Sequence, residues 1–174
     1  MENQSEGIKR KLTLGETLLA RSVFGDEIFY DSVRIHCDSY LPLGLQNEQY
    51  VMTPNGELYY RRSLYRRDFS IEPPPTQHLF IHEMTHVWQH QKGMWVCTRG
   101  LVSWATVYKY KIDKFRLSDY PMEQQASIIA DHFYLKTFGE KAFFRLADRE
   151  LIGVIDKNTL SKFEPLIRSA GLPL

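Results

Sequence analysis

Residues 82–86 read His82-Glu83-Met84-Thr85-His86, a His-Glu-x-x-His pattern in which two histidines stand four residues apart. On an α-helix, residues four apart lie on the same face, so both imidazoles can bind one Zn²⁺ ion. Glu83 follows the first histidine directly, and at this position a carboxylate can take a proton from water bound to the metal. The apolar residues 79–81 before the motif and Lys92-Gly93 after it favour a helix that spans the motif.

The motif predicts a catalytic zinc site with His82 and His86 as ligands and Glu83 as the general base. Two other interpretations stay open: surface histidines on either side of a helix glutamate, and a structural metal site. His90 extends the row of histidines, but positions eight apart on a helix are separated by about 12 Å. One ion can bridge two histidines that are four residues apart, but not a third that lies a further four residues along. We therefore expect His90 to lie at the rim of the site without binding the metal.

A catalytic zinc needs a third protein ligand, and the residues alone leave several candidates. Gln89 and Lys92 stand where the metzincin pattern HExxHxxGxxH has glycine and histidine, which excludes that class. Geometry favours Glu123, because it lies in the first turn of a predicted helix that should pack against the HExxH helix. The alternative role of this residue is an ordinary acid favoured by the helix dipole. The full set of candidates is Asp113, Asp119, Glu123, Asp131 and His132.

Asp131 also has a second predicted role, as a carboxylate that orients a ligand histidine through a hydrogen bond. Histidines that bind metals usually donate their other ring N–H to such a partner. The tyrosines 108, 110, 120 and 134 are possible substrate contacts, yet tyrosines at strand spacing are more often core residues. The sequence singles out no substrate-binding residue.

Length and composition indicate one soluble globular domain. The chain has 174 residues, of which 43% are hydrophobic and 25% are charged, with a formal net charge of +1. This near-neutral charge argues against a nucleic-acid partner, and no apolar run approaches the roughly 20 residues that span a bilayer. The polar N-terminus lacks the apolar region of a Sec signal peptide. We therefore expect synthesis in the cytoplasm, or a segment of a larger protein.

Hydrophobic periodicity predicts an α+β fold, with a small N-terminal β region followed by the HExxH helix and a mainly helical C-terminal half. Thr13-Leu14-Gly15-Glu16 resembles a capping box that starts a short helix, and residues 33–37 alternate like a strand. Pro54-Asn55-Gly56 favours a hairpin turn. Residues 1–11 are expected to be flexible. Further on, residues 104–112 look extended and three segments have a helical period: 122–137, 141–151 and 158–168.

Two stretches together support a resemblance to a known family. They are residues 80–89, FIHEMTHVWQ, and residues 123–131, EQQASIIAD. Both resemble metallopeptidase effector domains of type VI secretion, which occur fused to the C-terminus of VgrG spike proteins, alone, or on Rhs-type carriers. Further similarity upstream, including Thr53-Pro54-Asn55-Gly56, extends the resemblance over residues 12–136.

The resemblance implies a single zincin-like metallopeptidase domain over residues 1–174, with a gluzincin-type ligand set. In that set His82, His86 and Glu123 bind one Zn²⁺ ion and Glu83 is the general base. The resemblance also implies an antibacterial toxin that type VI secretion delivers into the periplasm of a target cell. Its expected partners are a cognate immunity protein, a secretion spike or carrier, and a protein or peptide-containing substrate.

The expected reaction is therefore hydrolysis of a peptide or amide bond by a metal-activated water. Two other functions remain open. One is an intracellular regulatory zinc peptidase, which would use the same chemistry on a different target. The other is a non-enzymatic binding module that holds a structural zinc ion or none.

Overall fold

The computed structural model describes residues 6–94, 108–147 and 149–173. Over these ranges the chain is an α+β domain whose strands lie in the first half and whose second half is mainly helical, as predicted. None of the helices in the described ranges combines the length and the apolar character that a membrane span requires. The elements are β1 (Ile8–Lys11), α1 (Leu14–Phe24), β2 (Arg34–Cys37), β3 (Leu58–Tyr60), α2 (Pro74–Gln91), α3 (Met122–Arg145) and α4 (Thr159–Ser169).

The strands form a small sheet of order β1-β2-β3. β1 runs antiparallel to β2, with Ile8 opposite Cys37, whereas β2 and β3 are parallel, with Ile35 opposite Leu58. Ile8–Lys11, which lie within the segment 1–11 that the sequence predicts to be flexible, pair with β2 residue by residue. Cys37 is a free, buried thiol in the core, and Cys97 lies outside the described residues.

The turn predicted around residues 54–56 forms, but its strands pair differently from a simple hairpin. Met52 makes an isolated antiparallel bridge to Tyr59, while β3 takes β2 as its main partner in a parallel arrangement. Parallel strands need a crossover connection, so their pairing depends on the packing of distant segments and leaves no local signal. The capping box at Thr13 and Glu16 is present at the start of α1, as predicted.

α2 and α3 pack more extensively against each other than any other pair of described elements. Ile81 and Met84 of α2 are fully buried, and so are Ala126 and Ala130 of α3. Contacts from His86 to Glu123 and from Gln89 to the Met122 carbonyl place the first turn of α3 beside α2. The position of the candidate site depends on this contact.

The C-terminal half shows where the predicted helices were right and where they were wrong. The helix predicted over residues 122–137 is interrupted at the predicted stop, Gly139, whose φ of 80° and ψ of 171° are not helical, and residues 140–145 form a second helical segment beyond this kink. The helix predicted over 141–151 ends at Arg145, and Phe144 is 70% exposed whereas Phe143 is buried. Consecutive helix residues point about 100° apart, so Phe144 cannot share the buried direction of Phe143. Tyr110 bridges Leu151, while residues 104–107 lie outside the described ranges.

Candidate metal centre

The two histidines of the motif lie in the middle of α2. This helix begins with Pro74, which suits a first position because the N–H that proline lacks has no partner there within the helix. The ring centroids of His82 and His86 are 5.1 Å apart with the planes at 79°, as the spacing of four residues on one helix face predicts. Both rings are largely buried and point towards the first turn of α3.

Glu123 approaches the same point from α3. Its Oε2 lies 3.0 Å from His86 Nε2 and 3.4 Å from His82 Nε2. One ligand atom from each of the three residues lies within 4.8 Å of the others. In the described part of the chain, this is the cluster of histidine, cysteine and acidic side chains that can hold a metal ion.

The donor set and its spacing fit zinc. Two imidazole nitrogens and one carboxylate oxygen are a ligand set found in catalytic zinc sites. Bonds of about 2.0–2.2 Å in a tetrahedral arrangement put neighbouring donors roughly 3.3 Å apart. The two observed distances, 3.0 Å and 3.4 Å, are close to that edge length. Three protein donors also leave a fourth tetrahedral position for water or substrate.

The contact between His86 and Glu123 sets the protonation state of the metal-free protein. Burial lowers the pKa of His86, but the charge of Glu123 and its hydrogen bond outweigh burial and raise that pKa to about 9. Burial likewise raises the pKa of the Glu123 carboxyl, yet the nearby His86 holds it far below its usual range. The metal-free site is therefore an ion pair, and a metal ion must displace the imidazole proton to bind.

Gln89 supports the site from behind His86. Its Oε1 lies 2.8 Å from His86 Nδ1, and its Nε2 donates to the Met122 carbonyl at 2.9 Å and to Gln125 Oε1 at 3.1 Å. Because the amide oxygen only accepts, Nδ1 carries a hydrogen, and in the neutral ring Nε2 is the nitrogen free to bind metal. The sequence analysis missed this role. The available signal was the i, i+3 spacing from His86, which places Gln89 on a neighbouring part of the same helix.

Glu83 also has a partner that the sequence analysis did not find. Its Oε2 accepts a hydrogen bond of 2.6 Å from Thr53 Oγ1, and both residues are buried. Thr53 lies in the turn between β2 and β3, 30 positions before Glu83. Thr53 is part of the stretch Thr53-Pro54-Asn55-Gly56 that contributes to the family resemblance, but no feature of the neighbouring sequence predicted a contact with α2.

Comparison with known proteins shows which family the chain belongs to. No protein-family model matches the chain. Among curated proteins, the type VI secretion system spike protein VgrG2b of Pseudomonas aeruginosa is 44% identical over 140 residues. The aligned region covers 75% of this chain and 14% of VgrG2b, so the chain spans a small part of that relative's length.

Among solved structures, the effector domain of Pseudomonas aeruginosa VgrG2b matches with a TM-score of 0.66 and 36% sequence identity. The match covers 87% of this chain and 89% of that domain. The chain belongs to the family of VgrG2b effector domains. The resemblance to VgrG effector domains of type VI secretion, inferred above from two sequence stretches, is thereby confirmed.

In this VgrG2b-family domain, Asp131 occupies a different place from the one predicted. Its Oδ1 lies 2.8 Å from His78 Nε2, and its Oδ2 accepts a hydrogen bond of 2.7 Å from the Tyr110 hydroxyl. The predicted hydrogen bond from Asp131 to a ligand histidine is therefore wrong. Asp131 lies opposite His78, which is about one helical turn before His82 on α2. The fully buried carboxylate instead joins α2, α3 and the segment that precedes α3.

The other candidate ligands lie apart from the cluster. His132 is buried beside Phe163, with ring centroids 6.1 Å apart, and burial together with the charge of Lys136 lowers its pKa to about 4. Asp119 accepts a hydrogen bond from the Arg116 backbone. His90 is exposed in the last turn of α2, as expected of a rim residue, and its ring lies against Gly56.

Tyr108 lies beside the site in the described structure. Its ring centroid is 6.2 Å from that of His82. Burial raises the pKa of its hydroxyl to about 12, with a smaller effect from the charges of Glu123 and Glu83. Of the four tyrosines considered from sequence, Tyr108 is thus the one in contact with a predicted ligand, whereas Tyr110 bonds to Asp131.

Proposed function

We propose that this domain is a zinc-dependent metallopeptidase that hydrolyses a peptide or amide bond. The observation that carries the proposal is the convergence of His82, His86 and Glu123 on one point. Glu83 follows His82 directly on α2, and its charge acts on His86. The proposal includes a zincin-like fold, in which a helix with the HExxH motif packs against a second helix that supplies the third ligand. The small sheet, whose strands precede α2 in the chain, is compatible with a zincin-like fold.

In this mechanism His82, His86 and Glu123 would hold the ion, which when bound polarises the scissile carbonyl and makes water acidic enough to react. Glu83 accepts a proton from the attacking water and later donates it to the leaving amine. Gln89 keeps the His86 ring oriented, with Nε2 towards Glu123. Burial of these side chains limits competition from bulk water and strengthens their electrostatic interactions.

We further propose that the domain is an antibacterial effector of type VI secretion that acts in the periplasm of a target cell. Membership of the VgrG2b family supports a secreted effector and a spike-protein context, because VgrG2b is itself a spike protein of that system. A cognate immunity protein would protect the producing cell. The substrate would be a protein or another molecule with peptide bonds, such as a peptidoglycan stem peptide.

The test is growth of a bacterial host that produces the full chain either in its cytoplasm or, with an added signal peptide, in its periplasm. We expect growth arrest from the periplasm alone, with full relief in Glu83→Ala. Metal analysis of the purified proteins should find one zinc ion in the wild type and in Glu83→Ala, and none in His86→Ala. The matched control is His90→Ala, which alters a neighbouring histidine outside the cluster and should keep both zinc and toxicity.

The outcomes separate the proposal from its alternatives. Growth arrest that persists in Glu83→Ala would overturn the peptidase mechanism. No arrest from either compartment, combined with peptide hydrolysis by the purified protein, would instead support an intracellular regulatory peptidase. Zinc binding without hydrolysis of any peptide would support a binding module with a structural metal ion.

A further inference from the structure

Residues 53–56 form a turn that lies along α2 and contacts it at two points. At the first, Thr53 Oγ1 donates a hydrogen bond of 2.6 Å to Glu83 Oε2. At the second, Gly56 lies so close to His90 that a Cβ atom added to the glycine would be 2.6 Å from His90 Cδ2. Glu83 and His90 are seven residues apart on α2, which is about two helical turns, so both contacts fall on one face.

The sheet holds this turn in place. Directly before Thr53, the Met52 N–H donates to the Tyr59 carbonyl at 3.2 Å, and the Tyr59 N–H donates back to Met52 at 2.8 Å. Tyr59 lies in β3, where it is in register with His36 of β2. At the far end, Gly56 has a φ of +78°, a left-handed conformation that favours glycine. The Thr53 hydroxyl is therefore presented to α2 by the sheet and not by a freely moving loop.

We propose that Thr53 is a positioning residue that holds the Glu83 carboxylate in the orientation needed for proton transfer. The inference rests on the proposed peptidase function. An ionised carboxylate can only accept hydrogen bonds, so the Thr53 hydroxyl must be the donor. The bond engages Oε2 and restricts rotation of the carboxylate, which leaves Oε1 to accept a proton from water.

The burial of the pair explains why the hydrogen bond should matter. Thr53 is 5% exposed and Glu83 is 6% exposed, so water has little access to replace the hydroxyl if it is removed. Without it, the carboxylate would rotate among several orientations or turn away from the reacting water. General base catalysis depends on geometry within hydrogen-bond reach, and small misplacements of reacting groups are costly.

The experiment uses the full chain loaded with zinc and a mixed-sequence fluorogenic peptide library as the substrate. Thr53→Val keeps the shape of the side chain and removes the hydroxyl, whereas Thr53→Ser keeps the hydroxyl. We expect Thr53→Val to lower kcat about 10- to 100-fold with little change in KM. Zinc affinity should be unchanged, because Thr53 contacts the base and none of the ligands. Thr53→Ser should recover most of the kcat, and Thr53→Val should have no further effect in a Glu83→Ala background.

A second variant keeps the inference testable should Thr53→Val fail to fold. Gly56→Ala perturbs the other end of the turn, since alanine is strained at a φ of +78° and its methyl group would displace the exposed His90 ring. We expect it to lower kcat while retaining zinc. The inference is overturned by a folded, zinc-loaded Thr53→Val protein with wild-type kcat, or by a loss of activity in Thr53→Val that merely follows a loss of zinc. A wild-type protein that binds zinc but cleaves no peptide would contradict the proposed function itself, which distinguishes the two failures.

Discussion

His86 Nδ1 and Gln89 Oε1 lie 2.8 Å apart, and Gln89 in turn donates to the Met122 carbonyl at the start of α3. One buried amide thus connects a proposed ligand on α2 to the helix that carries Glu123. Partners of this kind fix the tautomer and orientation of a metal-binding histidine. The link also keeps the first turn of α3 next to α2, so Gln89 should influence two of the three proposed ligands.

Replacing Gln89 should therefore weaken zinc binding although Gln89 does not touch the ion. We expect Gln89→Leu to lower zinc affinity roughly 10- to 100-fold, because the ring of His86 loses its hydrogen-bond acceptor. Gln89→Glu keeps an acceptor for Nδ1 and should bind zinc more tightly than Gln89→Leu. Competition with a chromophoric chelator measures both affinities. Equal zinc affinity in Gln89→Leu and the wild type would argue against this role.

Zinc binding should release a proton from the site. In the metal-free protein burial opposes protonation of His86, but Glu123 raises its pKa from 6.5 to about 9, so the ring is cationic at neutral pH. Zinc binds the neutral imidazole, so about one proton should leave His86 per ion bound at pH 7. The apparent affinity should rise with pH up to about 9 and then level off. Calorimetry in buffers with different ionisation enthalpies measures the release, and zinc binding with no proton release at pH 7 would contradict the ion pair.

Tyr110→Phe should destabilise the fold without affecting the metal. The change removes the hydroxyl that donates to the buried Asp131 Oδ2 at 2.7 Å. Hydrogen bonds to carboxylates contribute about 1.5–3 kcal/mol, and we expect a loss of this size in the free energy of unfolding, measured with urea. Tyr50→Phe is the matched control. Because Tyr50 is 53% exposed, this substitution should lower the free energy of unfolding by less than about 0.5 kcal/mol. Unchanged stability in Tyr110→Phe would show that the Asp131 hydrogen bond contributes little.

His132 should make the metal-free domain less stable in mild acid. Burial, with a smaller effect of Lys136, lowers its pKa from 6.5 to about 4 in the folded state. Between these two values the unfolded chain binds a proton that the folded chain does not, so stability falls as the pH decreases through this window. The full loss is about 3 kcal/mol, and it is complete once the pH is below the folded-state pKa.

The matched variant for this effect is His132→Leu, which fills a similar volume and does not titrate. The free energy of unfolding of the wild type should fall more steeply than that of His132→Leu between pH 6.5 and about 4. Parallel stability profiles for the two proteins would show that His132 is not the group responsible.

His82, Glu83 and His86 were predictable because their relation is local. Residues four apart on a helix share a face whatever the rest of the chain does, and both the lead-in and the end of α2 are recognisable in the sequence. The capping box at the start of α1 was predictable for the same reason, since Thr13 and Glu16 satisfy each other's backbone groups within one turn.

The remaining contacts of the candidate site join segments that are far apart in the chain. Glu123 lies 37 positions after His86, and Thr53 lies 30 positions before Glu83. Composition and periodicity left five candidates for the third ligand, and the resemblance to a family singled out Glu123. Thr53 is held beside α2 by the Met52–Tyr59 bridge to β3, which in turn pairs with β2. Such partners follow from the packing of helix on helix and turn on helix, which places side chains in three dimensions and leaves no periodic trace in the sequence.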